Sequence, residues 1–160
     1  MLFRSLDALV LRINGRTLDR LQGQLERCKR IGRPAADVDQ LFQAYLGFLD
    51  ENPNLWTLLF EHRLSANIPL PDWYQEKIDR VLGLLETVLR PAFPGHQLRE
   101  ARDSAVVLWA SFHGICSLAS GGKLSIVSGQ SASEMARRLT TLFLAGIPAS
   151  QLALEGARNA

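Results

Sequence analysis

At 160 residues, 47% hydrophobic and 21% charged, this chain can build one domain with a substantial core, and two independent domains would be a strain. The net charge of +2 names no partner, but residues 1–33 hold seven Arg and one Lys against three acids, about +5, which leaves −3 for the rest. The basic end suits either a polyanion or a solvated helix face, and Arg4 and Asp7 break up the start, so no signal peptide is expected.

In chain order, Ser5 can cap a helix running to about Arg30. Leu6, Leu9, Ile13 and Thr17 form one line on it, and Val10, Leu18, Leu21, Leu25 and Cys28 a neighbouring one. Gly32 and Pro34 punctuate. A second helix follows with the cleanest periodicity in the chain, Val38, Leu41, Phe42, Tyr45, Phe48 and Leu49, and Asn52-Pro53 ends it because proline has no N–H and restricts its predecessor. A short third helix from Asn54 to about Leu64 spaces Leu55, Leu58, Leu59 and His62 on one side, with Trp56, Phe60 and Arg63 on another. Ser65–Pro71, with two prolines, reads as an extended connection. Asp72 and Gln75 resemble a capping box for a fourth helix that turns Tyr74, Ile78, Val81, Leu85, Val88 and Leu89 inward. Pro91, Pro94 and Gly95 end it.

The next helix organises the whole chain. From Ala105 to Gly121 it carries almost no charge and is apolar nearly all round. Ala105, Val106, Trp109, Phe112, His113 and Cys116 fall on one side, Val107, Ser111, Gly114 and Leu118 on the opposite one, and Leu108, Ile115 and Ala119 close the gap. The segment is marginal for a membrane span, and its Ser, His and Gly content argues further against one. A helix of this kind is expected between its own core and a second copy of the chain. Gly121-Gly122 ends it, a polar loop Ser125–Gln130 follows, and Ser131 with Glu134 forms a capping box. The last helix presents Met135, Ala136, Leu139, Leu142, Phe143, Leu144 and Ile147, stops at Pro148, and leaves residues 148–160 as a frayed tail. Six helices without a convincing strand define an all-α bundle, dimerising through its last two helices.

Little here suggests catalysis. His113 and Cys116 sit three apart on one face and offer two metal ligands, but a site needs three or four, and His62 and His96 have no partner at ligand spacing. Cys28 and Cys116 read as buried thiols, which fits a reducing cytoplasm. No Ser or Cys has neighbours that would orient it as a nucleophile, and no Gly-rich loop opens a helix to cradle phosphate. No enzyme activity, metal or cofactor is expected. Trp56, Phe60, Trp73, Tyr74, Trp109, Phe112 and His113 instead lie on four segments that can converge inside a bundle. They suit the walls of a pocket for a small apolar or aromatic molecule, with His113 and His62 as directional polar groups; the alternative is that these aromatics simply fill the core.

Trp109-Ala-Ser-Phe-His113-Gly114 resembles the Trp-x-x-x-His-Gly signature of a branch of the TetR-type transcriptional regulators, the branch whose C-terminal domain is named for those three residues. The signature lies in the penultimate helix, as in that family. Phe3-Arg-Ser5-Leu-Asp7-Ala-Leu9-Val10 is similar to the family junction where the helix-turn-helix ends, so the resemblance covers essentially residues 3–147. It implies a junction remnant over 1–4 and a ligand-binding and dimerisation domain over 5–147. The all-round apolarity of the 105–119 helix leads to the expectation of a cytoplasmic homodimer with a face made of Val107, Ser111, Gly114, Leu118, Leu144 and Ile147. The resemblance implies, too, that roughly 45–50 residues forming the DNA-reading helices precede this chain in an intact parent, a probable repressor on a palindromic operator. Two other readings remain: a helical partner acting as an inhibitory subunit of an intact regulator, and a small metal-binding or enzymatic helical protein using His113 and Cys116.

Overall fold

Val38, Leu41, Phe42, Tyr45, Phe48 and Leu49 recur at steps of three and four residues, and every one of them is buried along a single stripe of the helix Pro34–Glu51. That stripe lies at the middle of the core. The structure, a computed structural model, describes residues 2–62, 69–93 and 98–158, and the side chains of 6–62, 69–93 and 99–147. In chain order it contains α1 (Leu2–Glu26), α2 (Pro34–Glu51), α3 (Pro53–Phe60), α4 (Asp72–Leu89), α5 (Leu98–Ser120), α6 (Leu124–Val127) and α7 (Ala132–Arg158). A 3-10 turn, Arg90–Ala92, closes α4. The described residues contain no strand, so the chain is an all-α bundle.

Helix α4 packs against α1 on one side and α5 on the other, α7 covers α2 and α5, and α3 tucks beneath α1 and α2. Leu18, Leu21 and Leu25 of α1 meet the α2 stripe, Val81, Leu85, Val88 and Leu89 of α4, and Ala105, Leu108, Phe112 and Cys116 of α5 in one continuous core. Helix ends follow local chemistry. Gly122 adopts φ +65°, Lys123 N–H reaches Leu118 O at 2.9 Å and Gly122 N–H reaches Ala119 O at 3.1 Å, a Schellman stop that requires the left-handed residue glycine supplies. Ser131 N–H donates to Glu134 Oε2 at 2.7 Å while Glu134 N–H donates to Ser131 Oγ at 3.2 Å, the reciprocal capping box that starts α7.

Several expectations need correction. Helix α1 begins at Leu2, so Ser5 lies inside it. Leu6 and Leu9 are exposed at 52% and 54%, because the core takes the neighbouring line through Val10, Leu18, Leu21 and Leu25, and of the first line Thr17 is buried beside it at 1%. Asp72 and Gln75 form no box: the α4 N-cap is Pro71, which has no side-chain cap to offer, and Gln75 Nε2 donates to Asp79 Oδ1 instead. Helix α3 ends at Phe60, and the loop expected over 125–130 contains the short helix α6. Helix α7 continues through Pro148 to Arg158, since an interior proline deletes one backbone hydrogen bond without forbidding the turns beyond it. Arg63, the first part of the Ser65–Pro71 connection, Pro94, Gly95 and His96 lie outside the described residues, as does the Phe3 side chain.

Candidate ligand-binding site

Asn52 decides where the aromatic wall stands. Its N–H ends α2 on Phe48 O at 3.0 Å, its carbonyl accepts from Trp56 N–H at 2.9 Å to begin α3, and its Oδ1 accepts from Arg20 Nη2 of α1 at 2.8 Å. With Pro53 at the first helical position, where a missing N–H costs nothing, α3 turns sharply and drives Trp56 into the core at 1% exposure. One turn of α5 brings Trp109, Phe112 and His113 toward the same place.

The rings meet there. His113 lies between Trp56, at 5.2 Å and 25°, and Trp109, at 5.5 Å and 24°, with Phe60 4.6 Å away. Tyr45 Oη stands 3.4 Å from His113 Nδ1. Burial pushes Tyr45 well above the usual phenol range and lowers the pKa of His113, against an opposing pull from Glu61, so both are neutral at pH 7. Burial also pushes the Cys116 thiol up to about 12, so it keeps its proton at neutral pH.

Beside this stack an apolar cavity of about 200 Å³ lies between four helices. Leu18 and Leu21 of α1, Leu59 and Phe60 of α3, Tyr74, Ile78, Val81 and Leu82 of α4, and Trp109 of α5 line it. Of the residues singled out from sequence, Phe60, Tyr74 and Trp109 form its wall. Trp56 and His113 stand behind them as the second layer. Phe112 faces the far side of Trp109 and packs on Phe42 with centroids 4.4 Å apart.

Trp73 belongs elsewhere. Neighbouring helical positions point about 100° apart, so Trp73 and Tyr74 cannot both face the cavity; Tyr74 is buried and Trp73 is 40% exposed. The Trp73 ring rests on Gly15 in a surface groove with Arg12, Arg16 and Lys77. His62 also misses the cavity and lies 4.0 Å from the buried Asp7 carboxylate. Sequence reasoning passed over Tyr45, Leu18, Leu21 and Leu59 as plain core positions, and nothing in their spacing marks them as lining a void. Of the interface candidates, Val107 is 56% exposed and Gly114 is exposed, while Ser111, Leu118 and Leu144 are half-buried. Ile147 is buried at 5%.

The profile described as "Tetracyclin repressor-like, C-terminal domain" matches residues 38–143, and the chain belongs to this family. A solved structure, of "a protein with unknown function from Rhodococcus sp. RHA1", is 25% identical, with a TM-score of 0.69 over 87% of this chain and 73% of that one. The comparison with curated proteins returns no match. Among the described residues no helix is long and apolar enough to cross a membrane.

Proposed function

We propose that this chain is the ligand-sensing and dimerisation domain of a TetR-type transcriptional regulator of the cytoplasm, a repressor whose operator contacts are made by a helix-turn-helix outside residues 1–160. The observation that carries the reading is the partly open apolar cavity of about 200 Å³, bounded by four helices of a family whose C-terminal domains are regulatory. Its walls include α1, the element that joins a DNA-reading module to the sensor in this reading. A ligand that fits better when Leu18 and Leu21 stand slightly farther from α4 would select a tilted α1 and change the half-site spacing of a dimer. It can do so only by its differential affinity for the two arrangements. Dimerisation would use the exposed parts of α5 and α7, including Val107, Gly114 and Leu142.

Native mass spectrometry of the purified chain tests both halves of the proposal. A dimer carrying an added small-molecule mass supports it, whereas a ligand-free monomer at micromolar concentration removes the dimer and the sensor together.

A further inference from the structure

Trp109 separates two apolar spaces. On one side lies the cavity of about 200 Å³, and on the other a narrow gap of about 30 Å³ bordered by Phe42, Tyr45 and Phe112. Val81, Leu82 and Trp109 line both, so the indole and one turn of α4 form the shared wall. That wall is held on one side, because the indole stacks on His113 and lies beside Phe60 with ring centroids 6.1 Å apart.

Size and polarity then restrict what fits. A void of about 150 Å³ lined by Leu, Ile and Phe takes benzene, and pockets for drug-sized molecules begin at about 300 Å³. The larger space here falls between those limits. None of its lining side chains is ionised; its polar groups are the Tyr74 phenol and the Trp109 indole. An ion entering it would surrender hydration with no opposite charge to meet. Burial raises the Tyr74 pKa, with Asn14 opposing, so the phenol keeps its proton.

We propose that Trp109 sets the size limit of the ligand: the cavity takes an uncharged molecule of one substituted ring whose single polar group pairs with Tyr74, and removing the indole joins the two spaces into a site for two fused rings. The inference rests on the ligand-sensing reading and narrows its ligand class.

Phenol, benzoate and 2-naphthol are the probes, measured by calorimetry and thermal melting on the 160-residue chain, its Trp109→Ala variant and its Ile78→Phe variant. Phenol at ten times its Kd raises the wild-type Tm by roughly 3–6 °C. Benzoate at pH 7 and 2-naphthol bind at least tenfold more weakly. In Trp109→Ala the order inverts, with 2-naphthol at least tenfold tighter than phenol. Ile78→Phe, which narrows the cavity from its α4 wall and keeps an apolar side chain, weakens phenol at least tenfold whether or not Trp109→Ala folds. Wild-type binding of 2-naphthol or benzoate as tight as that of phenol overturns the inference and leaves the sensor reading standing. A folded Trp109→Ala without the inversion, or unchanged phenol binding in Ile78→Phe, also overturns it. If none of the three probes binds the wild type, this inference falls, and the sensor reading is decided separately by the native mass measurement.

Discussion

Tyr45 Oη lies 3.4 Å from Nδ1 of His113, a contact between α2 and α5 that joins residues 68 apart in sequence and holds the imidazole against the two indoles. Burial of that ring makes stability depend on pH. Burial lowers the folded-state pKa of His113 below the usual 6.5, with Glu61 opposing. Between the unfolded value and the lower folded one, the unfolded chain binds more protons, so stability rises with pH across that window. The contribution is complete above pH 6.5 and is lost as pH falls from there through the folded pKa. Thermal melts from about pH 5 to pH 8 are expected to show a smaller acid destabilisation in His113→Gln than in the wild type. Identical slopes would mean that this imidazole is as free to protonate in the fold as out of it.

The meeting of Gly15 and Trp73 gives a second prediction. A Cβ on residue 15 would stand 2.7 Å from Trp73 Cζ3, closer than two carbons tolerate, so the indole must swing outward. Alanine gains about 1 kcal/mol over glycine inside a helix, and the displaced ring subtracts from that gain. Gly15→Ala is therefore expected to stabilise a Trp73→Ala background by about 1 kcal/mol and the wild type by clearly less. Urea denaturation of the four proteins in this cycle measures the difference; equal gains in both backgrounds would place the ring elsewhere.

Much of this fold is legible in the sequence, because its longer helices declare themselves by apolar spacing. The α2 stripe, the Gly122 stop and the Ser131–Glu134 box depend on residues close together in the chain, and each stands where the pattern puts it. The errors share a cause. Leu6, Leu9 and Val106 are apolar and correctly spaced, but a helix with apolar residues all round does not say which of them the other helices will cover. The candidate site divides the same way. Trp109 and His113 come together through one turn of α5, which spacing reveals. The cavity exists because Leu18, Leu21 and Leu59 fail to fill the space between α1, α3 and α4, and an unfilled volume has no sequence pattern.

Asp37 provides a stability test independent of the cavity. Its carboxylate is 4% exposed and accepts from Ile31 N–H at 2.8 Å and Gly32 N–H at 2.9 Å, pinning the loop that sets the angle between α1 and α2. Asp37→Ala leaves both donors without their acceptor and is expected to cost about 2–3 kcal/mol, with Asp37→Asn, which keeps one oxygen, losing roughly half as much. Denaturant titration compares them. A neutral Asp37→Ala would show that water satisfies those amides just as well.

The last prediction concerns the surface of α5 and α7. Val107 and Leu142 are exposed at 56% and 63%, large values for aliphatic side chains on helices that pack on each other. Gly114 has nothing within 4 Å of the position its Cβ would take, so a side chain there meets no atom of its own chain. Gly114→Arg is thus expected to leave the monomer folded, and it would place a guanidinium in the middle of any face made from these helices. Val107→Glu does the same one turn and more away on α5. Leu118 is a poorer reporter, because it is half-buried against the core and a glutamate there would unfold the monomer as readily as part a dimer. If α5 and α7 form the interface, each of the two clean variants weakens self-association by roughly a hundredfold while its circular dichroism and Tm at low concentration stay near those of the folded monomer. Light scattering across a concentration series reads that outcome, and dimers of undiminished affinity in both variants would move the interface to another face of the bundle.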